Sequence, residues 1–170
     1  MNTQIEELQK RRSIRRYTTE AITEEEYDLI LKTAMFAPTA KSLQPWHFLL
    51  VTDRSLLLEI TKVHPYASML EYAPGAVLVC GDRNIQEEDG YLILDGAAAT
   101  MNILHAAHAL HIGSCWLGIY PKQDRMERIS ALFHLPSSIM PISLVALGKT
   151  EVEKPLPLRD KPERIHRNKW

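Results

Sequence analysis

The stretch that decides the fold is Ala76-Val77-Leu78-Val79-Cys80-Gly81, which carries no charge and is followed by a long apolar segment at residues 87–111. Continuous hydrophobicity over so short a run predicts a strand that is covered on both faces of its sheet. In the longer segment, apolar residues recur at three- and four-residue spacing, and the alanines between them permit close packing on every side. The sequence therefore predicts a buried strand next to a central helix.

Further strands and helices alternate along the rest of the chain. Short β-prone runs predict strands at 46–52, 114–119 and 142–147. Helices are predicted at residues 3 to about 9, from 23 to before Pro38, at 55–62, and from Pro121 at the first helical position to about 133. Thr23 and Glu26 have the spacing of a capping box at the start of the second helix. We expect an α+β fold of the α/β-type three-layer kind, with a central mixed sheet of about four strands flanked by helices.

The length and composition indicate one domain. The chain has 170 residues, of which 45% are hydrophobic, so it can bury one substantial core but not two full-sized ones. After Gly148 the sequence becomes rich in proline and basic residues and has no sustained apolar face. We expect a single domain over residues 1–170, in which residues 149–170 form an extended arm that packs on a partner subunit through groups such as Trp170.

Charge and cysteine usage exclude several classes of protein. The net charge of −1 argues against a surface built to bind nucleic acid or anionic lipid. Cys80 and Cys115 lie in apolar runs without zinc-site spacing, so we expect reduced, buried thiols. No apolar signal region is visible near residue 1, which predicts a cytoplasmic protein. Residues 91–120 are apolar enough to raise the question of a membrane span, but Asp95 and three histidines within them favour a buried helix followed by a strand.

A basic segment at residues 10–16 is the first feature that points to chemistry. Five of its seven residues are Lys or Arg, and without them the rest of the chain carries −6. A nucleic-acid arm is disfavoured because the acidic remainder would be repelled by a phosphate backbone. A solvated helix end remains an alternative. The embedded Ser13 and the following Tyr17 favour a pocket for a small phosphate monoester, because guanidinium forks and a hydroxyl donate to phosphate oxygens.

Other reactive side chains favour structural roles. His105, His108 and His111 follow at steps of three, which places the first and third about 120° apart on a helix, and we expect no metal site there. Ser13 and Ser42 lack the setting of a nucleophilic hydrolase. The sequence also lacks the glycine-rich motifs of Rossmann and P-loop nucleotide sites.

Four motifs occur in an order that resembles one enzyme family. They are Arg11-Arg12-Ser13-Ile14-Arg15-Arg16-Tyr17, Ala37-Pro38-Thr39-Ala40-Lys41-Ser42-Leu43-Gln44-Pro45-Trp46, Asp95-Gly96-Ala97-Ala98-Ala99 and Gly113-Ser114-Cys115-Trp116-Leu117-Gly118. This set resembles the nitroreductase family of FMN-dependent oxidoreductases and covers most of the chain. Ser42 departs from the pattern, since the family commonly has an asparagine there.

The resemblance implies a site for noncovalently bound FMN at the interface of a homodimer. Residues implied to hold the ribityl phosphate are Arg11, Arg12, Ser13, Arg15 and, from the tail, Arg159. Residues implied to lie along the flavin from the second subunit are Pro38, Thr39, Ala40 and Ser42. Leu117 and Gly118 match the place where a main-chain N–H points at flavin N5, where it stabilises charge as a hydride arrives or leaves.

The resemblance further implies the reaction. NAD(P)H would reduce FMN, and an electron-poor acceptor such as a nitroaromatic, a quinone or an activated alkene would then be reduced in a ping-pong cycle. No catalytic side chain is expected, because the difficult step belongs to the cofactor. Two alternatives remain open: a flavin-binding carrier or sensor without turnover, and a relative that desaturates or dehalogenates its substrate.

Overall fold

Five helices and a four-stranded sheet make up the fold in a computed structural model that describes residues 3–156 and 158–170. The helices are α1 (Thr3–Lys10), α2 (Glu24–Ala34), α3 (Arg54–Val63), α4 (Asp89–Ala109) and α5 (Gln123–Leu132). The strands are β1 (Trp46–Val51), β2 (Gly75–Asp82), β3 (Ile112–Gly118) and β4 (Ile139–Lys149). The sheet order is β1-β2-β4-β3, which makes β1 and β3 its two edges.

The predicted fold class and the number of strands are confirmed, but the expected mixed sheet is wrong in its strand directions. All three strand pairings, β1 with β2, β2 with β4 and β3 with β4, are antiparallel. The uncharged run in β2 suggested parallel neighbours because strands covered on both faces are typical of parallel sheets. Here an antiparallel strand is equally apolar because helices cover both faces of the sheet.

Side chains of β2 and β4 alternate between two cores. Leu78 and Leu144 point to the layer that contains α3 and α5, where they pack with buried residues such as Leu57 and Ile129. The intervening positions point to the layer of α2 and α4 and form a second core, whose members include Tyr27, Ile30, Val77, Val79, Ile103, Val145 and Leu147. This two-residue alternation gives the three layers that the sequence predicts.

Helix boundaries follow local capping chemistry. The Thr23 hydroxyl accepts from the Glu26 N–H at 3.2 Å, and the Glu26 carboxylate accepts from the Thr23 N–H at 2.9 Å, which confirms the predicted capping box. The predicted start of the helix at Pro121 is wrong. The Tyr120–Pro121 bond is cis, and α5 begins at Gln123. Short 3₁₀ turns at Ala40–Ser42 and Ser68–Glu71 were not predicted.

The two cysteines and the membrane question have clear outcomes. Cys80 and Cys115 are both free and buried, as predicted. Among the described residues, no helix is both long enough and apolar enough to span a membrane.

Candidate functional site

The basic segment lies along the open edge of β3. Ser13 forms a parallel bridge with Ser114, and the Ile14 N–H donates to the Ser114 carbonyl at 2.9 Å. Tyr17 then folds back, its hydroxyl donating to the Ile14 carbonyl at 3.0 Å. The segment therefore acts as a short extension of the sheet, which places its arginines beside the strand that carries the Gly113–Gly118 motif.

Positive charges crowd together at this edge. Arg11 is half-buried, and its pKa is lowered first by burial and then by the nearby cations Arg12 and Arg159. The tail residue Arg159 thus lies within electrostatic range of Arg11, although the two are far apart in sequence. Burial raises the pKa of Cys115 in β3, while Arg15, Lys154 and Arg11 act in the opposite direction. A cluster of cations converges on the middle of β3 and favours an anionic ligand there.

Arg12 has a different role from its neighbours. Its guanidinium donates to the main-chain carbonyls of Gln9, Arg11 and Pro155, so it ties the basic segment to the tail. Its Nη2 is buried and, among the residues that the structure describes, has no hydrogen-bond partner. One donor of Arg12 is therefore left for a ligand.

Lys154 completes this cluster and was missed by the sequence analysis. Its Nζ donates to the Ser13 carbonyl at 2.6 Å. It lines a cavity of about 470 Å³ together with Arg11, Arg12 and Ser114. Lys154 could not be singled out from the sequence, because it lies 141 residues from Ser13 in a tail with many basic residues.

A second cavity lies at the other end of β3. It measures about 450 Å³ and is lined by residues that include Arg15, Tyr66, Leu117 and Gly118. Ser114 and Gly118 are four residues apart, which corresponds to about 13 Å along a strand. The two cavities therefore flank β3. Arg11, Arg12 and Lys154 line the cavity at the Ser114 end, and Arg15 lines the cavity that holds the predicted Leu117–Gly118 contact. This spacing suits an elongated ligand with one anionic end.

The Gly118 carbonyl is held by two side chains that sequence reasoning missed. His64 Nε2 lies 3.0 Å from this oxygen, and Arg125 Nη1 donates to it at 2.9 Å. The Tyr66 N–H donates to His64 Nδ1 at 3.3 Å, and the Arg125 guanidinium lies 5.2 Å from the centroid of the Tyr66 ring. Burial lowers the pKa of His64. His64 lies outside the four motifs, so the sequence does not indicate that it contacts the site.

The segment from Pro38 to Ser42 lies elsewhere, beside the first half of α4. The Ala40 N–H donates to Asp95 Oδ1 at 2.9 Å, and Asp95 Oδ2 is buried with no partner in the described part of the chain. The Nζ of the next residue, Lys41, lies 3.2 Å from Glu88 Oε1. Lys41 and Ser42 both have a positive φ of 55°. Asp95 and Lys41 thus pin a strained loop to α4.

One chain therefore brings together only part of the predicted site. Arg11, Ser13, Arg15, Leu117 and Gly118 gather along β3. The loop residues Pro38, Thr39, Ala40 and Ser42 instead precede β1, at the opposite edge of the sheet, about 14 Å away by strand spacing. The loop and the basic segment are also separated along α4. Asp95 contacts the loop, whereas His105, ten residues or about 15 Å further along the helix, lies near Arg11.

The three histidines of α4 and its end form no cluster suited to a metal. His108 Nε2 lies 3.4 Å from a Glu7 carboxylate oxygen. Within residues 3–156 and 158–170, no group of three or more His, Cys, Asp or Glu side chains could hold a metal ion.

Comparison with known proteins defines the family of this chain. The model of the nitroreductase family matches residues 8–72 and 62–149. A protein of Methanothermobacter thermautotrophicus named "Putative NADH dehydrogenase/NAD(P)H nitroreductase" is 42% identical over 168 residues, which is 98% of this chain and 87% of that protein. The chain belongs to the nitroreductase family, as its four motifs predict.

Solved structures agree with this assignment. An FMN-dependent nitroreductase of Clostridium difficile R20291 has a TM-score of 0.90 and 28% identity, with 98% of this chain and 99% of that chain covered. A putative nitroreductase of Desulfovibrio desulfuricans, solved in complex with FMN, has a TM-score of 0.87 and 27% identity. The match covers 100% of this chain and 99% of that chain.

Proposed function

We propose that this protein is an NAD(P)H-dependent FMN oxidoreductase that works as a homodimer on electron-poor acceptors such as nitroaromatics, quinones or activated alkenes. The observation that carries the proposal is the cation cluster on the β3 edge, aligned with an open main-chain position at Gly118. When bound, FMN supplies the hydride chemistry, taking a hydride from NAD(P)H and passing it to an acceptor that follows in the same place.

The residues along β3 fit FMN. Arg11, Arg15 and Arg159 would neutralise its phosphate, with Ser13 donating a further hydrogen bond and the free Nη2 of Arg12 another. Lys154 joins this set because its ammonium already lies at Ser13. Phosphate binding also explains why like charges are held so close together, since without an anion they repel each other.

Gly118 fits the flavin end of the ligand. A Cβ at this position would meet no protein atom closer than the Tyr120 carbonyl oxygen, at 3.9 Å. Packing within the protein therefore does not require glycine here, but a side chain would point into open space beside β3. The lack of a side chain lets a planar ring approach the main chain at Leu117 and Gly118.

A homodimer is supported by the exposed face of α4. Leu94 is 65% exposed and Met101 is 38% exposed, with the half-buried Ala97 and Ala98 between them on the same face. Phe36, just beyond α2, is 87% exposed. Exposed apolar side chains that share one face of a central helix are typical of an interface, and a second copy would cover them.

Two-fold symmetry would also complete the site. The loop from Pro38 to Ser42 and the cation cluster lie near opposite ends of α4, so pairing this face with its own copy in antiparallel fashion brings one chain's loop to the other chain's β3. The tail supports the same assembly, because Leu158 is 95% exposed and Trp170 is 100% exposed. Lys149 ends β4, and the tail as far as Pro155 bonds to this chain's own basic segment, so the expected arm does not begin at residue 149. We propose that residues 158–170 pack as an arm on the partner subunit.

The first experiment is to reconstitute the purified protein with FMN and with riboflavin, which lacks the phosphate. We expect stoichiometric, yellow FMN complex and at least tenfold weaker riboflavin binding, because each charge-assisted hydrogen bond contributes about 1.5–3 kcal/mol. Absence of FMN uptake would overturn the proposal.

The second experiment follows NAD(P)H oxidation with a nitroaromatic, a quinone and an activated alkene as acceptors. Turnover with at least one of them is expected. Bound FMN without any NAD(P)H oxidation would instead favour a carrier or sensor.

A further inference from the structure

We propose that His64 and Arg125 are positioning residues that fix the Gly118 main chain for contact with the flavin. This role rests on the proposed function, because it concerns how the chain presents an N–H to FMN. Neither residue belongs to the four family motifs of the sequence, and both act through the same carbonyl oxygen.

The main-chain groups of β3 face alternately toward β4 and toward the open edge of the sheet. The Ser114 carbonyl accepts from Ile14, so the main-chain groups of Ser114 point away from β4. Main-chain polar groups alternate in direction from residue to residue along a strand. Trp116 and Gly118 therefore also face the open edge, whereas Leu117 faces β4. The alternation applies as far as Gly118, where β3 ends; beyond it, the N–H groups of Ile119 and Tyr120 both donate to the Ile142 carbonyl, at 3.3 and 3.0 Å.

This alternation separates the two candidate donors. The Gly118 N–H lies on the open edge of the sheet, on the same side as the Gly118 carbonyl, and the Leu117 N–H faces the neighbouring strand. Of the two, the Gly118 N–H is the donor that faces a ligand beside β3. Its orientation then depends on the backbone torsions of a glycine, which are the least restricted of any residue.

His64 restricts those torsions from one side. Its Nδ1 accepts from the Tyr66 N–H, so the ring proton belongs on Nε2, which donates to the Gly118 carbonyl at 3.0 Å. The ring is 1% exposed, so water does not compete for this bond. Burial lowers the pKa of His64, which agrees with a neutral ring in this tautomer.

Arg125 restricts the same carbonyl from α5. Its guanidinium donates to the Gly118 oxygen at 2.9 Å and lies over the Tyr66 ring. Stacking on the ring limits the rotamers of a long side chain, and the charge strengthens the hydrogen bond. It also brings a positive charge to the edge where negative charge would develop on a reduced flavin. Two hydrogen bonds to one carbonyl oxygen thus restrain backbone torsions that glycine itself leaves free.

The test compares His64→Leu, which removes the donor, with His64→Gln, whose amide nitrogen reaches close to the position of Nε2. Arg125→Met removes the second donor and its charge at similar length. Arg128→Met is the matched control, because Arg128 is an exposed residue on the same helix. The first readout uses protein without flavin: the carbonyl carbon shift of Gly118 and the exchange rate of its amide. The second is the dissociation constant and the midpoint potential of bound FMN.

We expect His64→Leu and Arg125→Met to change the Gly118 carbonyl signal and to weaken FMN binding about threefold to tenfold each, as for one lost hydrogen bond. Both should lower the midpoint potential, whereas His64→Gln and Arg128→Met stay within twofold of wild type in affinity. If His64→Leu fails to fold, Arg125→Met and His64→Gln still decide the question. An unchanged Gly118 signal, affinity and potential in Arg125→Met, with FMN bound normally by the wild type, overturns the positioning role alone. Failure of the wild type to take up FMN overturns the proposed function and this role with it.

Discussion

The ring of Tyr17 packs directly on Gly148 of β4. A Cβ built on Gly148 would lie 2.5 Å from Tyr17 Cγ, closer than real side chains approach each other. The Tyr17 hydroxyl holds the Ile14 carbonyl, and the Thr18 N–H donates to the Lys149 carbonyl at 2.8 Å. The basic segment is therefore seated on the sheet by one aromatic ring that needs a glycine beneath it.

Gly148→Ala should displace Tyr17 and loosen the segment that carries Arg11 and Arg15. Overpacking of this kind costs about 1–3 kcal/mol, so we expect a lower free energy of unfolding in urea and weaker FMN binding. Gly90→Ala is the control, because its Cβ meets nothing within 4 Å, and alanine in a helix stabilises by up to about 1 kcal/mol. Equal stability of the two variants would contradict the packing account.

Replacing Arg11 and Arg15 together by alanine should release flavin from a protein that stays folded and dimeric. The physical reason is the loss of two charge-assisted contacts to phosphate. Lys32→Ala with Arg128→Ala removes the same charge from exposed helix positions and should leave binding unchanged. The visible spectrum after gel filtration measures occupancy, and full occupancy in the Arg11/Arg15 variant would refute the phosphate assignment.

Asp95→Ala should free the loop from Pro38 to Ser42. Removing the carboxylate leaves the Ala40 N–H without its acceptor, which costs about 1–3 kcal/mol. Asp95→Asn keeps an acceptor oxygen and should behave close to wild type. Hydrogen exchange at Ala40 reports the loop directly. If both variants protect that amide equally, Asp95 is not its anchor.

Leu94→Glu should dissociate the dimer, because a charge would be buried in the α4 face that we assign to the interface. Leu58→Glu makes the same change at an exposed position of α3, 40% exposed and on the opposite layer, and should stay dimeric. Sedimentation velocity distinguishes the two. We also expect Leu94→Glu to lose FMN, since each site would lack the partner's loop. A dimeric Leu94→Glu would place the interface elsewhere.

Stability should fall as the pH drops below about 6.5, in part through His64. Burial lowers the pKa of His64 below its ordinary value of 6.5, against the opposing effect of its bond to Gly118. The unfolded chain therefore takes up the proton first, so the contribution is complete above pH 6.5 and is lost as the pH falls through the lowered value. His64→Gln should flatten this dependence in urea titrations at pH 5 and 7. A slope remains from His105, whose pKa burial also lowers.

Local chemistry made much of the fold predictable. Thr23 and Glu26 fix the start of α2 by contacts three residues apart, and the apolar run in β2 identifies the centre of the sheet. The direction of the strands was not predictable in this way, because coverage by helices makes antiparallel strands look like parallel ones. Pro121 was misassigned for a related reason, since a proline suits both the first turn of a helix and the turn before it.

The site residues that lie in a family motif could be predicted. Those that contribute by bonding to a main-chain group far away in sequence could not. Arg11 and Gly118 lie in recognisable segments. His64 and Lys154 instead bond to main-chain carbonyls 54 and 141 residues away. Every residue has such a carbonyl, so the sequence does not show which one a distant side chain will bind. Asp95 is intermediate: its motif was recognised, but its bond to Ala40 was not.

The capping of the β3 edge has a consequence for solubility. An edge strand with free N–H and carbonyl groups is a template on which other chains can add as strands, and this is a common route to aggregation. Here the Ile14 N–H donates to the Ser114 carbonyl, and His64 and Arg125 bond to the Gly118 carbonyl. With these two carbonyls already bonded, we expect this edge to be a poor template for an added strand.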